Sequence, residues 1–323
     1  MPRPTALGAA VRWSITAGAV LACVLAALLD PGQAASPQAP TSTASPISTA
    51  PTTSTAPPTS TAPPTSTAPP SPSSSDLDSP GRKELAMELV SSAEDSSLDW
   101  RAQYESIEDI GDGRGYTGGV VGFCSGTGDM LRVVELYSLA RPGNALAPYV
   151  PALREVDGTA DHSGLGPGFV QAWRLAARDP AFRRAQDRVR DSLYFDPAVR
   201  LAKADGLHAL GQFVYYDAAV MHGPVGPGGE FNAIRAAAER RAQLPARGGS
   251  EYGYLEAFLD ARVAEMRTET AHRDTSRVDD AQRVFLRAGN LGLEPPLLWS
   301  VYGDWYSIRK LPQPASRSIR SRS

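Results

Sequence analysis

Between Thr53 and Pro70 the hexapeptide Thr-Ser-Thr-Ala-Pro-Pro stands three times in succession. No packed core can be built on such a stretch. Proline removes backbone donors and favours extended polyproline conformations. Almost nothing large and apolar is present to offset the entropy of ordering the chain. Residues 36–80 therefore read as a disordered, Pro/Thr/Ser-rich spacer, and whatever folds lies after it. Ahead of it, residues 1–35 read as a secretory signal: Arg3 and Arg12 give a positive start, residues 14–29 are apolar but short for a bilayer, and Ala34 and Ala35 are among the small residues of a cleavage site. After it, residues 307–323 read as a basic disordered tail. One domain remains, residues 81–306, ample for a sizeable core. With Cys23 in the leader, only Cys124 is left to the domain, so no internal disulfide forms. Cys124 sits in the apolar run Val120-Val121-Gly122-Phe123-Cys124 and reads as a buried small hydrophobe.

Charge narrows the functional classes. Seven of the 32 basic residues, but only one of the 35 acidic ones, lie outside residues 76–306, so the domain carries a net charge of −9. A surface of that sign repels nucleic acid and anionic lipid, and it attracts polycations.

Apolar periodicity predicts a mostly helical domain. Leu85, Ala86, Leu89, Val90 and Ala93 line one face of a helix over 83–93. Residues 116–123 predict a short strand or hairpin. Helices follow over 129–139, from Asp196-Pro197 towards Met221, over 251–272 and over 282–288. Gly206 and Gly211 would let the long one bend. A few strands beside seven or more helices make an α+β class, mainly α.

Two acids stand out by context. Glu94 closes the first helix at the flank of its apolar face, where half-burial favours a proton donor. Asp112 lies in Ile110-Gly111-Asp112-Gly113-Arg114-Gly115, whose alternate glycines let the backbone turn sharply and leave the carboxylate open to water. Two carboxyls in unlike settings are what glycoside hydrolysis requires. The rival motifs fail. Gly113 to Gly118 spells G-x-G-x-x-G but follows an acidic turn instead of a strand. The same turn lacks the closing acid of a calcium loop, and His162, His208, His222 and His272 show no metal-ligand spacing.

Longer blocks decide between readings. Ala86 to Glu94, Ile107 to Gly119, Gly122 to Met130, Tyr194 to Ala198, Asp205 to Leu207, Tyr216 to Gly223, Phe258 to Arg262, Asp274 to Asp279 and Ala288 to Leu291 together resemble glycoside hydrolase family 46, the chitosanases. The resemblance runs from about residue 82 to 306. It implies a lysozyme-like fold of two mainly helical lobes around a substrate cleft. It implies Glu94 as general acid, Asp112 as general base and Thr117 as the residue that helps hold the attacking water. It implies Asp129 and Arg114 as substrate-binding residues, and Asp217, Arg262 and Arg277 as a buried charge network behind Glu94. Trp100, Trp173 and Trp299 match family tryptophans, read as packing residues. The implied enzyme is a secreted, monomeric, inverting endo-chitosanase without metal or cofactor. Its partners would be chitosan and chitooligosaccharides, with no nucleic acid and, after signal cleavage, no membrane.

Overall fold

A computed structural model of the chain describes residues 75–268 and 273–313. The signal segment, nearly all of the spacer, His272 and most of the basic tail lie outside the described residues. Ten α-helices are described: α1 Pro80–Glu94, α2 Asp129–Ala140, α3 Val150–Glu155, α4 Pro167–Ala176, α5 Pro180–Arg190, α6 Asp196–Ala204, α7 Ala209–His222, α8 Glu230–Glu239, α9 Glu251–Met266 and α10 Arg283–Arg287. Strands β1 Ile107–Asp109, β2 Tyr116–Gly118 and β3 Phe123–Cys124 form one antiparallel sheet, and β4 Leu297–Val301 pairs antiparallel with β5 Asp304–Ile308. Few strands and many helices give the mainly α class that the apolar periodicity predicts.

Helix α2 packs on α3 and α5, and α4 packs on β1; on the other side, α8 lies on α7 and α9, and α10 on α9. Helix α1 is the shared spine, with ten of its fifteen residues buried. It reaches both groups. Trp100 Nε1 donates to Glu84 at 2.8 Å, while Trp299 Nε1 donates to Ser92 Oγ at 3.0 Å and Tyr216 donates to Met87 Sδ at 3.4 Å. Trp100, Trp173 and Trp299 are all buried, as packing residues should be, and Cys124 is buried with a free thiol.

The long helix expected from Asp196 differs in two ways. Pro197 does not open it. Helix runs from Pro180 to Ala204 through a π-turn, Asp191–Phe195. The wider turn falls where proline's missing N–H and its ring would disturb the ladder of the preceding turn. The helix then stops at Asp205. Gly206 takes φ +82°, and a Cβ there would stand 2.7 Å from Ala246 N, so glycine is required at this close approach. Asp205 itself is drawn aside by Arg235 Nε and Nη2 at 2.8 and 2.7 Å.

The domain is also wider than residues 81–306. Leu77 is fully buried, and its N–H donates to Gln212 Oε1 on α7 at 2.9 Å. Lys203 Nζ grips Asp76 and Asp78 at 3.0 and 2.9 Å. A spacer boundary at residue 80 is therefore five residues too late. Composition misses this because one leucine in a polar run carries no periodic signal. At the other end β5 runs through buried Ile308, past the expected end at residue 306.

Candidate active site

Glu94 is the last residue of α1, and its side chain is about a third exposed, at 35 %. What it meets is not the apolar flank that the helical wheel suggests. Arg277 Nη2 lies 2.6 Å from its Oε1. The same nitrogen lies 2.8 Å from Asp217 Oδ1, and Arg277 Nε donates to Asp217 Oδ2 at 3.0 Å. Arg262 Nη1 reaches Asp217 Oδ2 from the other side at 2.7 Å. Asp217, Arg262 and Arg277 are all buried, so each charge depends on the others for what water would have supplied. Burial alone would raise the Asp217 carboxyl. Arg277 and then Arg262 outweigh it and hold the group well below the usual carboxylate range. The network implied by the resemblance thus stands directly behind Glu94.

Two further members carried no sequence signal. Gln282 donates Nε2 to Asp217 Oδ2 at 2.6 Å and accepts from Arg262 Nη1 at 3.1 Å. His222 Nε2 accepts from Arg262 Nε at 3.4 Å. Arg277 and Gln282 begin and end a second π-turn, Arg277–Gln282. They lie five residues apart, a separation that an ordinary α-helix places on different faces and that the π-turn brings together, and a glutamine in a polar run is unremarkable by composition. Tyr302 closes this wall. It sits in the β4–β5 turn at φ +53°, its N–H donates to Ser276 Oγ at 2.9 Å, and its phenol is close enough to feel Arg277 and Glu94.

Asp112 is held quite differently. Gly111, Gly113 and Gly115 take φ of +71°, +85° and +76°, which curls the chain until Arg114 folds back on Asp112. Arg114 N donates to Asp112 Oδ1 at 3.0 Å, while its Nε and Nη2 reach Oδ2 at 2.7 and 2.6 Å. The Asp112 side chain is only 15 % exposed. The open carboxylate expected from the glycines is instead a clamped one, because the turn that frees the backbone also brings the guanidinium within reach. Arg114, expected as a substrate contact, is in the first place the partner of Asp112. Burial works against its charge, yet Cys124, Asp112 and Glu94 together hold its pKa above the usual value.

Thr117 lies on β2, directly across from Cys124 on β3, and its Oγ1 stands 3.4 Å from Cys124 Sγ. It is half-buried, next to the Asp112 turn.

Asp129 departs from expectation. It is 4 % exposed, and both its oxygens are occupied. Oδ1 accepts from Cys124 N, Thr127 Oγ1 and Met130 N at 2.8, 2.7 and 2.8 Å, and Oδ2 accepts from Tyr194 at 2.7 Å. A first-turn carboxylate suits the N-terminus of α2. Here it also ties β3 to that helix and to the first π-turn. Oδ2 has one donor, Tyr194, and keeps a second lone pair.

Among the described residues no group of three His, Cys, Asp or Glu is placed to hold a metal ion, and no helix is long and apolar enough to cross a membrane. His208 is paired with Glu251 at 2.5 Å, and His162 stands 3.6 Å from Asp109.

Known proteins resemble this chain over most of their length. The chain is 64 % identical over 232 residues to a chitosanase of Streptomyces sp. strain N174, covering 72 % of this chain and 84 % of that protein. A solved structure titled as chitosanase OU01 with substrate is 60 % identical, with a TM-score of 0.70 over 72 % of this chain and 99 % of the other. A family 46 chitosanase of Gynuella sunshinyii in complex with chitotetraose is 34 % identical, with a TM-score of 0.67 over 72 % of this chain and 99 % of the other. Residues 88–297 match the model of glycosyl hydrolase family 46, and with the paired carboxylates and the network behind them in place, the chain belongs to that family.

Proposed function

We propose that this protein is a secreted endo-chitosanase that hydrolyses β-1,4 bonds between glucosamine residues in partly acetylated chitosan, with inversion at the anomeric carbon. The observation that carries the reading is Glu94 at the end of α1, bound through Arg277 to the buried Asp217 network, in a chain whose residues 88–297 match the family. Glu94 donates its proton to the glycosidic oxygen as the bond breaks. Asp112 accepts a proton from a water on the opposite face of the sugar, and Thr117 Oγ1 helps to hold that water. The water oxygen attacks the anomeric carbon from the side away from the leaving group, and the configuration inverts. Arg277 is in place to stabilise the Glu94 carboxylate that proton transfer leaves behind. A net charge of −9 on the domain draws the polycationic substrate towards the protein. The signal segment sends the chain out of the cell, and the enzyme works there as a monomer without cofactor.

Glu94→Gln and Asp112→Asn should each fold and each lose about 10²–10⁴-fold in kcat, the usual worth of a general acid or base. Proton NMR of the first products from the wild type, taken before mutarotation, should show α-anomeric ends. An initial β signal would overturn inversion and the role of Asp112 as base.

A further inference from the structure

The Thr117 hydroxyl is itself held in place. Thr117 and Cys124 pair directly across β2 and β3, so their side chains leave the same face of the sheet, with Oγ1 3.4 Å from Sγ. The other branch of Thr117 lies over Gly122. A Cβ at that glycine, which takes φ +68°, would stand 3.2 Å from Thr117 Cγ2. A β-branched side chain has few choices of rotamer, and these two contacts select one. Cys124 is fixed in turn. Its N–H donates to Asp129 Oδ1 at 2.8 Å, and its buried thiol donates to Gly122 O at 3.2 Å. A thiol has a single hydrogen, whereas a threonine hydroxyl has one hydrogen and two lone pairs. With the thiol hydrogen directed at Gly122, the sulfur accepts from Thr117, and both lone pairs of Oγ1 stay free.

We propose that Cys124 is a positioning residue for the attacking water: its sulfur takes the hydrogen of the Thr117 hydroxyl and so makes that hydroxyl a pure acceptor towards the water. The proposal rests on the reading of Thr117 as the residue that helps to hold this water. The attacking oxygen must aim a lone pair at the anomeric carbon. It does so when one water hydrogen points at Asp112 and the other at Thr117 Oγ1. As the new C–O bond forms, the first hydrogen passes to Asp112. The second stays on the oxygen and becomes the hydrogen of the new anomeric hydroxyl, while the electron pair of the broken bond leaves with the glycosidic oxygen. A Thr117 hydroxyl free to turn would instead donate to a lone pair of the water and compete with the attack. Burial pushes the Cys124 thiol up, and the charge of Arg114 pulls less strongly the other way, so the sulfur keeps the hydrogen that it gives to Gly122.

Steady-state kinetics of the whole enzyme on soluble chitosan decide it. Cys124→Ala and Cys124→Val, one smaller and one larger than cysteine, both lack an acceptor. Each should lower kcat by about 3–10-fold, the kinetic worth of one weak hydrogen bond, and leave KM unchanged, because the water's orientation matters only as the bond breaks. A rise in KM with kcat intact would overturn the proposal. Serine offers a hydrogen to Gly122 and lone pairs to Thr117, so Cys124→Ser should recover most of the loss. A serine variant no faster than the alanine one would mark lost packing and also overturn it. The last arm repeats Cys124→Ala and Cys124→Val in a Thr117→Val background. There each should change kcat by less than about twofold, since the hydroxyl that the sulfur steers is gone. The full loss in both backgrounds overturns the role of Cys124 and leaves Thr117 as the holder of the water. Wild-type kcat in Thr117→Val alone overturns the reading of Thr117, and the proposal with it.

Discussion

Glu94 and Asp112 are held by opposite kinds of support. Glu94 stands at the end of a largely buried helix, against a guanidinium that is fixed by a second carboxylate, a second guanidinium and a glutamine, all buried. Asp112 stands on a turn of alternating glycines, and its partner Arg114 is two residues away with a side chain 46 % exposed. The first carboxyl is placed by tertiary packing and the second by backbone conformation. The difference teaches where each can be damaged. Changes to the network act on stability and catalysis together, whereas changes to the turn act on catalysis with the fold intact.

The same substitution made on both sides gives the largest contrast. Asp217→Asn leaves two buried guanidiniums without their anion and should cost about 3–5 kcal/mol in urea denaturation, the penalty for breaking a buried pair. Asp112→Asn should cost less than about 1 kcal/mol, because its pair lies near the surface. Near-equal losses in the two variants would break the comparison. A pH series sharpens it. The Asp217 carboxyl is depressed in the folded state, so its stabilisation is full above the ordinary carboxylate pKa of about 4 and is lost as pH falls below that. The wild type should therefore lose stability from pH 4 downwards with a steeper slope than Asp217→Asn.

Leu77→Ala comes next. Leu77 is fully buried and bonded to Gln212, on the same helix as Asp217. The lost packing should cost about 2–5 kcal/mol. A chain beginning at Ser79 should melt several degrees below one beginning at Ser36, although both carry Glu94 and Asp112 unaltered. Equal melting temperatures would show that residues 75–79 brace nothing.

The glycine turn offers a smaller and finer test. At Gly115 a Cβ would stand 2.2 Å from Ser125 Oγ, and the residue is left-handed, so Gly115→Ala should cost about 1–3 kcal/mol and displace the base, with kcat falling. Gly113 is also left-handed but has nothing within 4 Å of a Cβ. Gly113→Ala should cost only the backbone penalty of about 1–2 kcal/mol. If Gly113→Ala proved the worse of the two, the close approach at Ser125 would not be what sets the turn.

The smallest effect is that of salt. The acidic domain attracts a polycation over a screening length of about 8–10 Å, so added NaCl should raise KM and leave kcat nearly unchanged. A KM independent of salt would confine the acidic surface to solubility.

How much of this was legible beforehand follows the range of each interaction. The end of α1 at Glu94, the hairpin around Thr117 and the turn at Asp112 are local. Apolar spacing and glycine placement encode them directly, and the structure keeps them. Asp129 was legible as a first-turn acid of α2 but not as one that also ties that helix to the first π-turn, since Tyr194, its partner, lies 65 residues away. The clamp on Asp112 is short in sequence, yet three left-handed glycines in concert decide it, and a list of residue types does not state the φ values.

By itself the sequence determined the mainly helical class, the acidic balance of the domain and, through resemblance, the two carboxylates proposed to carry the chemistry. The tertiary structure alone decided what surrounds them. Asp217 meets Arg262 across 45 residues, Arg277 across 60 and Gln282 across 65, and Leu77 reaches Gln212 across 135. Periodicity states which face of a helix is apolar, but not which other helix will lie against it. A buried charge is tolerable only where that second helix brings its counter-charge, so the environment that readies Glu94 exists only once α1, α7, α9 and the second π-turn have packed together.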